Sequence, residues 1–162
     1  MRWLALICLS AVLACRQPQP DEVPAYVAHK VILDVLGVRV FVATDGDRRE
    51  PGDRDFEVAT FAVTSAFAAC TQQPAASFHG LDLYWVETIR TPTQQPDGFY
   101  DPKKRIVYID GSRWQGCIAN TAFARVMTDI LFMQNRPSRE RVQCDPVAIA
   151  TEQIRAHCRV PA

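Results

Sequence analysis

The sequence has no excess of positive charge and no apolar run long enough to cross a bilayer. It carries 18 Lys or Arg residues against 18 Asp or Glu residues, a formal net charge of zero. Binding to nucleic acid needs clustered positive charge against the phosphates, so nucleic acid is not expected as a partner. The most apolar stretch, residues 3–13 interrupted by Ser10, is shorter than the roughly 20 residues of a transmembrane helix.

Motifs of common catalytic and metal sites are also missing. No serine lies in a G-x-S-x-G context, and no C-x-x-C pair points to a structural zinc site. The acidic segment 45–55 lacks the spacing of a calcium loop and contains three arginines that would repel a cation. The three histidines, His29, His79 and His157, are far apart in the chain. We therefore predict no catalytic residue, no metal site and no cofactor.

The first fifteen residues carry the strongest signal in the chain. Arg2, the apolar run and the small residues that follow it are typical of a secretory signal peptide over residues 1–14. Val12-Leu13-Ala14-Cys15 resembles the lipobox of bacterial lipoproteins, which implies that Cys15 becomes an acylated N-terminus and binds the membrane. Ordinary signal cleavage at the same bond, giving a secreted protein, is the alternative.

The resemblance implies a bacterial cell-envelope protein held by lipid at the outer membrane or the periplasmic face. Arg16 stands where an aspartate would favour retention at the inner membrane, which favours the outer membrane. Residues 15–24 contain Pro18, Pro20 and Pro24 and are predicted to form an extended tether. The remaining residues, 25–162, suffice for a single globular domain. Another envelope protein is a possible binding partner.

The hydrophobic pattern of this domain predicts an α+β fold. Apolar residues at helical spacing predict helices over 25–36, 53–70 and 117–134, although the β-branched residues of 25–36 favour a strand. Asp145 and Pro146 predict the start of a last helix. Alternation predicts strands over 38–44, 81–90 and 105–110, and Asp97-Gly98 a turn. We expect about three strands packed against two or three helices.

Four cysteines remain after the lipidated one: Cys70, Cys117, Cys144 and Cys158. An even number in an oxidising compartment predicts two disulfides, with three possible pairings. A helix between Cys144 and Cys158 separates its ends by roughly 18 Å, which excludes that pair. If the last two helices form a hairpin, Cys117–Cys158 and Cys70–Cys144 are favoured. Cys117, at a predicted helix start, is alternatively a reactive thiol.

Residues 98–134 resemble the active-site segment of zincin-type metallopeptidases. The order of elements is that of several envelope zincins: Gly98-Phe99-Tyr100, then the strand 105–110, then Cys117 and a buried helix. The helix and the strand within residues 53–90 also match the elements that come before this segment in zincins. In that family the helix carries H-E-x-x-H, which binds zinc and activates water. The matching positions here are Ala124, Arg125 and Thr128, which cannot perform these roles. The resemblance implies a zincin-like scaffold without metal or catalysis.

The sequence therefore predicts a lipid-anchored envelope protein with a non-catalytic binding or structural role on an inactive zincin-like scaffold. The alternative is an envelope hydrolase, similar to a peptidase, with an unconventional metal site that uses His79 and Asp82 or Glu87.

Overall fold

The structure is a computed structural model that describes residues 26–28, 30–43, 52–73, 78–89, 97–111 and 121–158. The predicted signal peptide, Cys15, the tether, His29 and Cys117 lie outside these residues. Within them the elements are β1 (Lys30–Val35), β2 (Val38–Ala43), α1 (Asp53–Thr71), β3 (Leu81–Val86), β4 (Gly98–Asp101), β5 (Ile106–Asp110), α2 (Thr121–Asn135) and α3 (Pro146–Cys158). None of the described helices is long and apolar enough to cross a membrane.

The α+β class is confirmed, but the sheet has five strands instead of about three. Their order is β1-β2-β3-β5-β4, with β2, β3 and β5 parallel and an antiparallel strand at each edge. The three predicted strands are the central ones. Each is rich in Val, Ile or Leu, as expected for strands that are buried within a sheet. Both additional strands are at the edges, where packing imposes a weaker pattern on the sequence.

The helix predicted over residues 25–36 is wrong, because residues 30–35 form β1. Val35 pairs with Val38, so only Leu36 and Gly37 connect β1 to β2. Both have positive φ angles, 50° and 80°, as a tight type I′ hairpin turn requires. The β-branched residues of this segment and the pairing with β2 outweigh its helical spacing.

The turn predicted at Asp97-Gly98 is also revised, because Gly98 begins β4. This short strand pairs antiparallel with β5, and Phe99 lies opposite Tyr108. A β-carbon on Gly98 would come within 2.8 Å of the Val126 side chain on α2. A glycine is therefore needed where this edge strand passes close to the helix.

The helices cover one face of the sheet and form the main core with it. Phe56 of α1 meets Trp85 of β3 edge to face, with ring centroids 5.5 Å apart. α3 packs against α1 and α2 and buries Ala150 and Ile154 in the same cluster. No helical residue that the structure describes belongs to the smaller cluster on the opposite face.

Helix starts are fixed by acidic side chains, as predicted for α3. The Asp145 carboxylate accepts hydrogen bonds from the backbone N–H groups of Val147 and Ala148, at 2.9 and 3.2 Å. At α1 the capping residue is Gly52. Asp55 contributes from within the first turn, where its carboxylate accepts a hydrogen bond from the Gly52 N–H at 2.9 Å.

A disulfide between Cys70 and Cys144 joins the end of α1 to the segment that leads into α3. The two α-carbons are 5.0 Å apart, and the Gln143 N–H donates to the Cys70 carbonyl at 2.8 Å. This pairing is confirmed. Of the two disulfides predicted, only this one is found between described residues. Cys158 is not a free thiol, but its predicted partner Cys117 lies outside the described residues, so Cys117–Cys158 stays a prediction.

Replacing both cysteines, in the variant Cys70→Ser/Cys144→Ser, should lower the free energy of unfolding by about 2–5 kcal/mol. The bond closes a loop with a sequence separation of 74, so its loss frees the unfolded chain. Guanidinium unfolding without reductant measures the change. Unchanged stability would show that the bond constrains the unfolded chain little. Peptide mapping of the variant would report whether Cys117 and Cys158 are linked.

Gly37→Ala should destabilise the protein far more than Gly80→Ala. Both positions have positive φ angles, 80° and 64°, so both variants incur strain of about 1–2 kcal/mol. At Gly37 the new β-carbon would additionally lie 1.9 Å from the Phe78 carbonyl oxygen, whereas at Gly80 nothing lies within 4 Å. Paired urea unfolding curves test this, and equal losses would contradict the geometry of the turn.

Candidate functional site

An apolar groove lies between the β1–β2 turn and α1. It is lined by Leu36 from the turn and by Glu57, Val58 and Phe61 from α1, and its volume is about 320 Å³. Val58 and Phe61 are one helical turn apart, so they present their side chains on one face of α1. Among the described residues, the lining combines apolar side chains with the Glu57 carboxylate, a composition typical of binding sites.

Leu36 occupies an unusual position for a leucine. Its φ angle of 50° is in the left-handed region, where Asn, Asp and Gly are the usual hairpin residues and a leucine is strained by about 1–2 kcal/mol. The side chain is nevertheless 40% exposed. Two backbone hydrogen bonds fix the turn to the start of β3, from Phe78 N–H to the Leu36 carbonyl and from Leu81 N–H to the Gly37 carbonyl. A fixed turn therefore presents a strained, exposed leucine.

Phe61 forms the opposite wall of the groove and is 64% exposed. Arg54 and Glu57 lie along the same side of α1, two turns and one turn before Phe61, and both are exposed. Neither has an ion-pair partner among the described residues. An exposed phenylalanine and leucine beside each other, with charges at the rim, are typical of an interaction surface.

The face of the sheet opposite the helices carries an aromatic cluster, which is a second core. Phe41, Tyr84, Tyr108 and Phe99 lie in register across four strands. The Phe41 and Tyr84 rings stack with their centroids 4.9 Å apart, so one face of each ring is covered by the other ring. Tyr26 packs on Tyr108, and its hydroxyl donates to the Thr88 carbonyl at 2.6 Å.

The residues of the hydrolase alternative have separate partners. Asp82 is bound by the Arg39 guanidinium through two hydrogen bonds of 2.8 and 2.9 Å. His79 is exposed, and its backbone N–H donates to the Gln134 side-chain carbonyl at 3.4 Å. Glu87 follows β3 directly. Among the residues that the structure describes, no three His, Cys, Asp or Glu side chains form a group that could hold a metal ion.

One histidine–carboxylate contact is not predicted by the sequence. His157 Nε2 lies 3.2 Å from the Asp55 carboxylate, and both side chains are about one quarter exposed. The contact joins the end of α3 to the start of α1 across 102 residues. Local spacing cannot reveal it, because the two residues meet only when the helices pack.

The positions that match H-E-x-x-H lie on α2. Ala124 and Thr128 are fully buried, whereas Arg125 is exposed. The Thr128 hydroxyl has no hydrogen-bond partner within the described part of the chain. Ala124 belongs to the main core, so this part of the helix packs the interior.

No protein-family model, curated protein or solved structure matches the chain.

Tyr108→Phe should make stability less sensitive to alkaline pH. Burial, then the Asp101 carboxylate and the neighbouring tyrosines Tyr84 and Tyr26, raise the pKa of Tyr108 above its usual 10. The folded state therefore holds this proton more tightly than the unfolded state. The contribution of protonated Tyr108 to the free energy of unfolding is fully present below about pH 10. It is lost as the pH rises through the pKa of Tyr108 in the folded state.

Urea unfolding of the wild type and the Tyr108→Phe variant between pH 8 and pH 11 (about one unit above the usual tyrosine pKa) measures this effect. The free energy of unfolding of the wild type minus that of the variant should be constant up to about pH 10. Above that pH it should fall, because only the wild type loses the contribution of this proton. A constant difference over the whole range would contradict the assignment.

Proposed function

We propose that this protein is a lipid-anchored bacterial envelope protein with a non-catalytic binding role, and that the groove beside Leu36 is its binding surface. The observation that carries the binding role is the conformation of Leu36. Asn or Gly at this position would relieve the backbone strain and remove an exposed apolar side chain. Strain held at an exposed site supports a functional role for that site.

The envelope location rests on the leader and on Cys15. Val12-Leu13-Ala14-Cys15 is the resemblance to the lipobox, and the proline-rich residues 16–24 provide a spacer between the lipid and the domain. The Cys70–Cys144 disulfide supports an oxidising compartment, because such bonds are rare in the reducing cytosol. Lipidation of Cys15 would supply the membrane contact without a basic surface.

A zincin-like scaffold without catalysis is part of the proposal. The order helix, strand, edge strand, strand and helix from α1 to α2 agrees with the segment named in the resemblance. At the three motif positions, alanine has no ligand atom, arginine is cationic and threonine is a poor zinc ligand. The side chains at the first and third positions serve the core, which supports a packing role for α2.

The full chain, expressed with its own leader in a Gram-negative host, should sediment with membranes and carry acyl mass on Cys15. Cys15→Ser is the matched control and should be released from the membrane fraction, because it removes the acylated atom. Fractionation and mass spectrometry of the N-terminal peptide measure this. An unmodified Cys15 at the N-terminus of a soluble protein would favour plain secretion.

Metal content of the same detergent-extracted protein tests the non-catalytic role. We expect no stoichiometric metal when the protein is purified without chelator. About one zinc per chain, lost together with hydrolase activity in His79→Ala, would instead establish the hydrolase alternative. Gln134→Ala is a suitable control, since it removes the partner of His79 without removing a possible ligand.

A further inference from the structure

We propose that residues 26–28 form a strap over the aromatic cluster of the sheet, and that tension on the tether to Cys15 lifts this strap. The exposure of the cluster then depends on how far the domain stands from the membrane. The inference goes beyond the binding role proposed above, but it rests on the lipid anchor proposed there. Its basis is the position of Tyr26, the first residue that the structure describes after the tether.

Tyr26 covers Tyr108 from outside the sheet. The centroids of the two rings are 5.5 Å apart, and the Tyr26 hydroxyl donates to the Thr88 carbonyl at 2.6 Å. Tyr84 and Phe99 also contact the Tyr108 ring, but they are its cross-strand neighbours and belong to the sheet itself. Tyr108 is only 4% exposed. Lifting Tyr26 therefore uncovers one side of a ring that is buried while the strap is closed.

The strap is held by few interactions. Its hydrogen bonds and ring contacts to other described residues are those of Tyr26 with Thr88 and Tyr108. Val27 is 77% exposed, and residues 26–28 have no regular secondary structure. One neutral hydrogen bond and one aromatic pair together favour the closed position by about 5- to 150-fold. A modest pull is therefore enough to open the strap while β1 stays paired with β2.

The strap lies between the proposed anchor and the first strand. Tyr26 contacts β5, whereas β1 begins four residues later and lies three positions away in the order of the sheet. A pull from the membrane therefore reaches Tyr26 before it reaches the pairing of β1 with β2. The weaker contact is the first to bear the load.

Opening the strap lengthens the tether. Cys15 and Tyr26 are eleven positions apart, so a closed strap limits their separation to about 36–40 Å. Lys30, the first residue of β1, is fifteen positions from Cys15, which gives a limit of about 50–54 Å. A domain drawn from the membrane beyond the shorter limit must release Tyr26, and this release exposes Tyr108.

Hydroxyl-radical footprinting of the full acylated chain in vesicles tests the cover. Tyr26→Ala should raise the oxidation rate of Tyr108 at least about fivefold. Tyr26→Phe loses only the hydrogen bond to Thr88 and should raise the rate less. Val27→Ala changes the exposed neighbour and is the matched control, with no change expected. Oxidation of Met127, which is fully buried in the main core, should stay low in every variant that remains folded.

Single-molecule pulling tests the link to the anchor. The acylated chain is held in a supported bilayer by its lipid and is pulled through a handle at its C-terminus. We expect a first lengthening of about 14 Å, the length of four extended residues, at a lower force than unfolding. This step should be absent in Tyr26→Ala and present in Val27→Ala.

The two measurements together separate the strap from its alternatives. Faster oxidation of Tyr108 in Tyr26→Ala, with Met127 protected and the first step lost, supports the strap. An unchanged rate at Tyr108 shows that other parts of the chain cover it. A joint rise at Tyr108 and Met127 shows that Tyr26 belongs to the core. Either of these two results overturns the strap.

The anchor and the strap fail in different ways. A first step that is missing in the wild type, or that persists in Tyr26→Ala, overturns the control of the strap by the tether. The released variant Cys15→Ser carries no tension, so its footprint at Tyr108 should equal that of the wild type. A failure of the anchor therefore appears in the fractionation, whereas a failure of the strap appears in the footprint.

Discussion

The structure depends on burying one face of three parallel strands. Val38, Val40 and Val42 of β2 are fully inaccessible, as are Leu81 and Leu83 of β3. At about 25 cal/mol per Å² of buried apolar surface, these rows provide a main driving force for packing α1 and α2 on this face. Parallel strands also need long connections, and α1 is the connection between β2 and β3. The position of the helices follows from this single requirement.

The candidate binding surface is a consequence of the same arrangement. β1 extends the sheet beyond β2, and its turn back into β2 meets the exposed side of α1. Gly37 allows the turn to lie against the Phe78 carbonyl, and the adjacent Leu36 lines the groove together with Phe61. The disulfide of Cys70 holds the other end of α1, so both ends of this helix are constrained by distant parts of the chain. The groove is therefore formed by fixed elements.

Sequence patterns predicted the central elements well and the edges poorly. The sequence pattern predicts β2, β3 and β5 because strands buried within a sheet consist mainly of apolar residues. β1 was misread because its apolar residues satisfy a helical spacing as well, and only its pairing with β2 decides between them. The sequence predicts a turn at Asp97-Gly98 and no strand at β4, because the four residues of β4 are too few to show a period. The groove was not predicted, since Leu36 and Phe61 are 25 positions apart in the sequence and each is unremarkable in its local context.

The sequence by itself determined the α+β class through its hydrophobic pattern, and the start of α3 through the capping residue Asp145. It also excluded a Cys144–Cys158 bond through the length of the helix between the two cysteines. Each of these effects acts over a short stretch of chain. The sequence also provides the lipobox-like signal at Cys15, from which the proposed location follows. Tertiary structure alone decided that His157 meets Asp55 and that Leu36 and Phe61 line one groove. The sequence favoured Cys70–Cys144 only on the assumption that the last two helices form a hairpin. These contacts join distant segments, and only packing around the shared core brings them together.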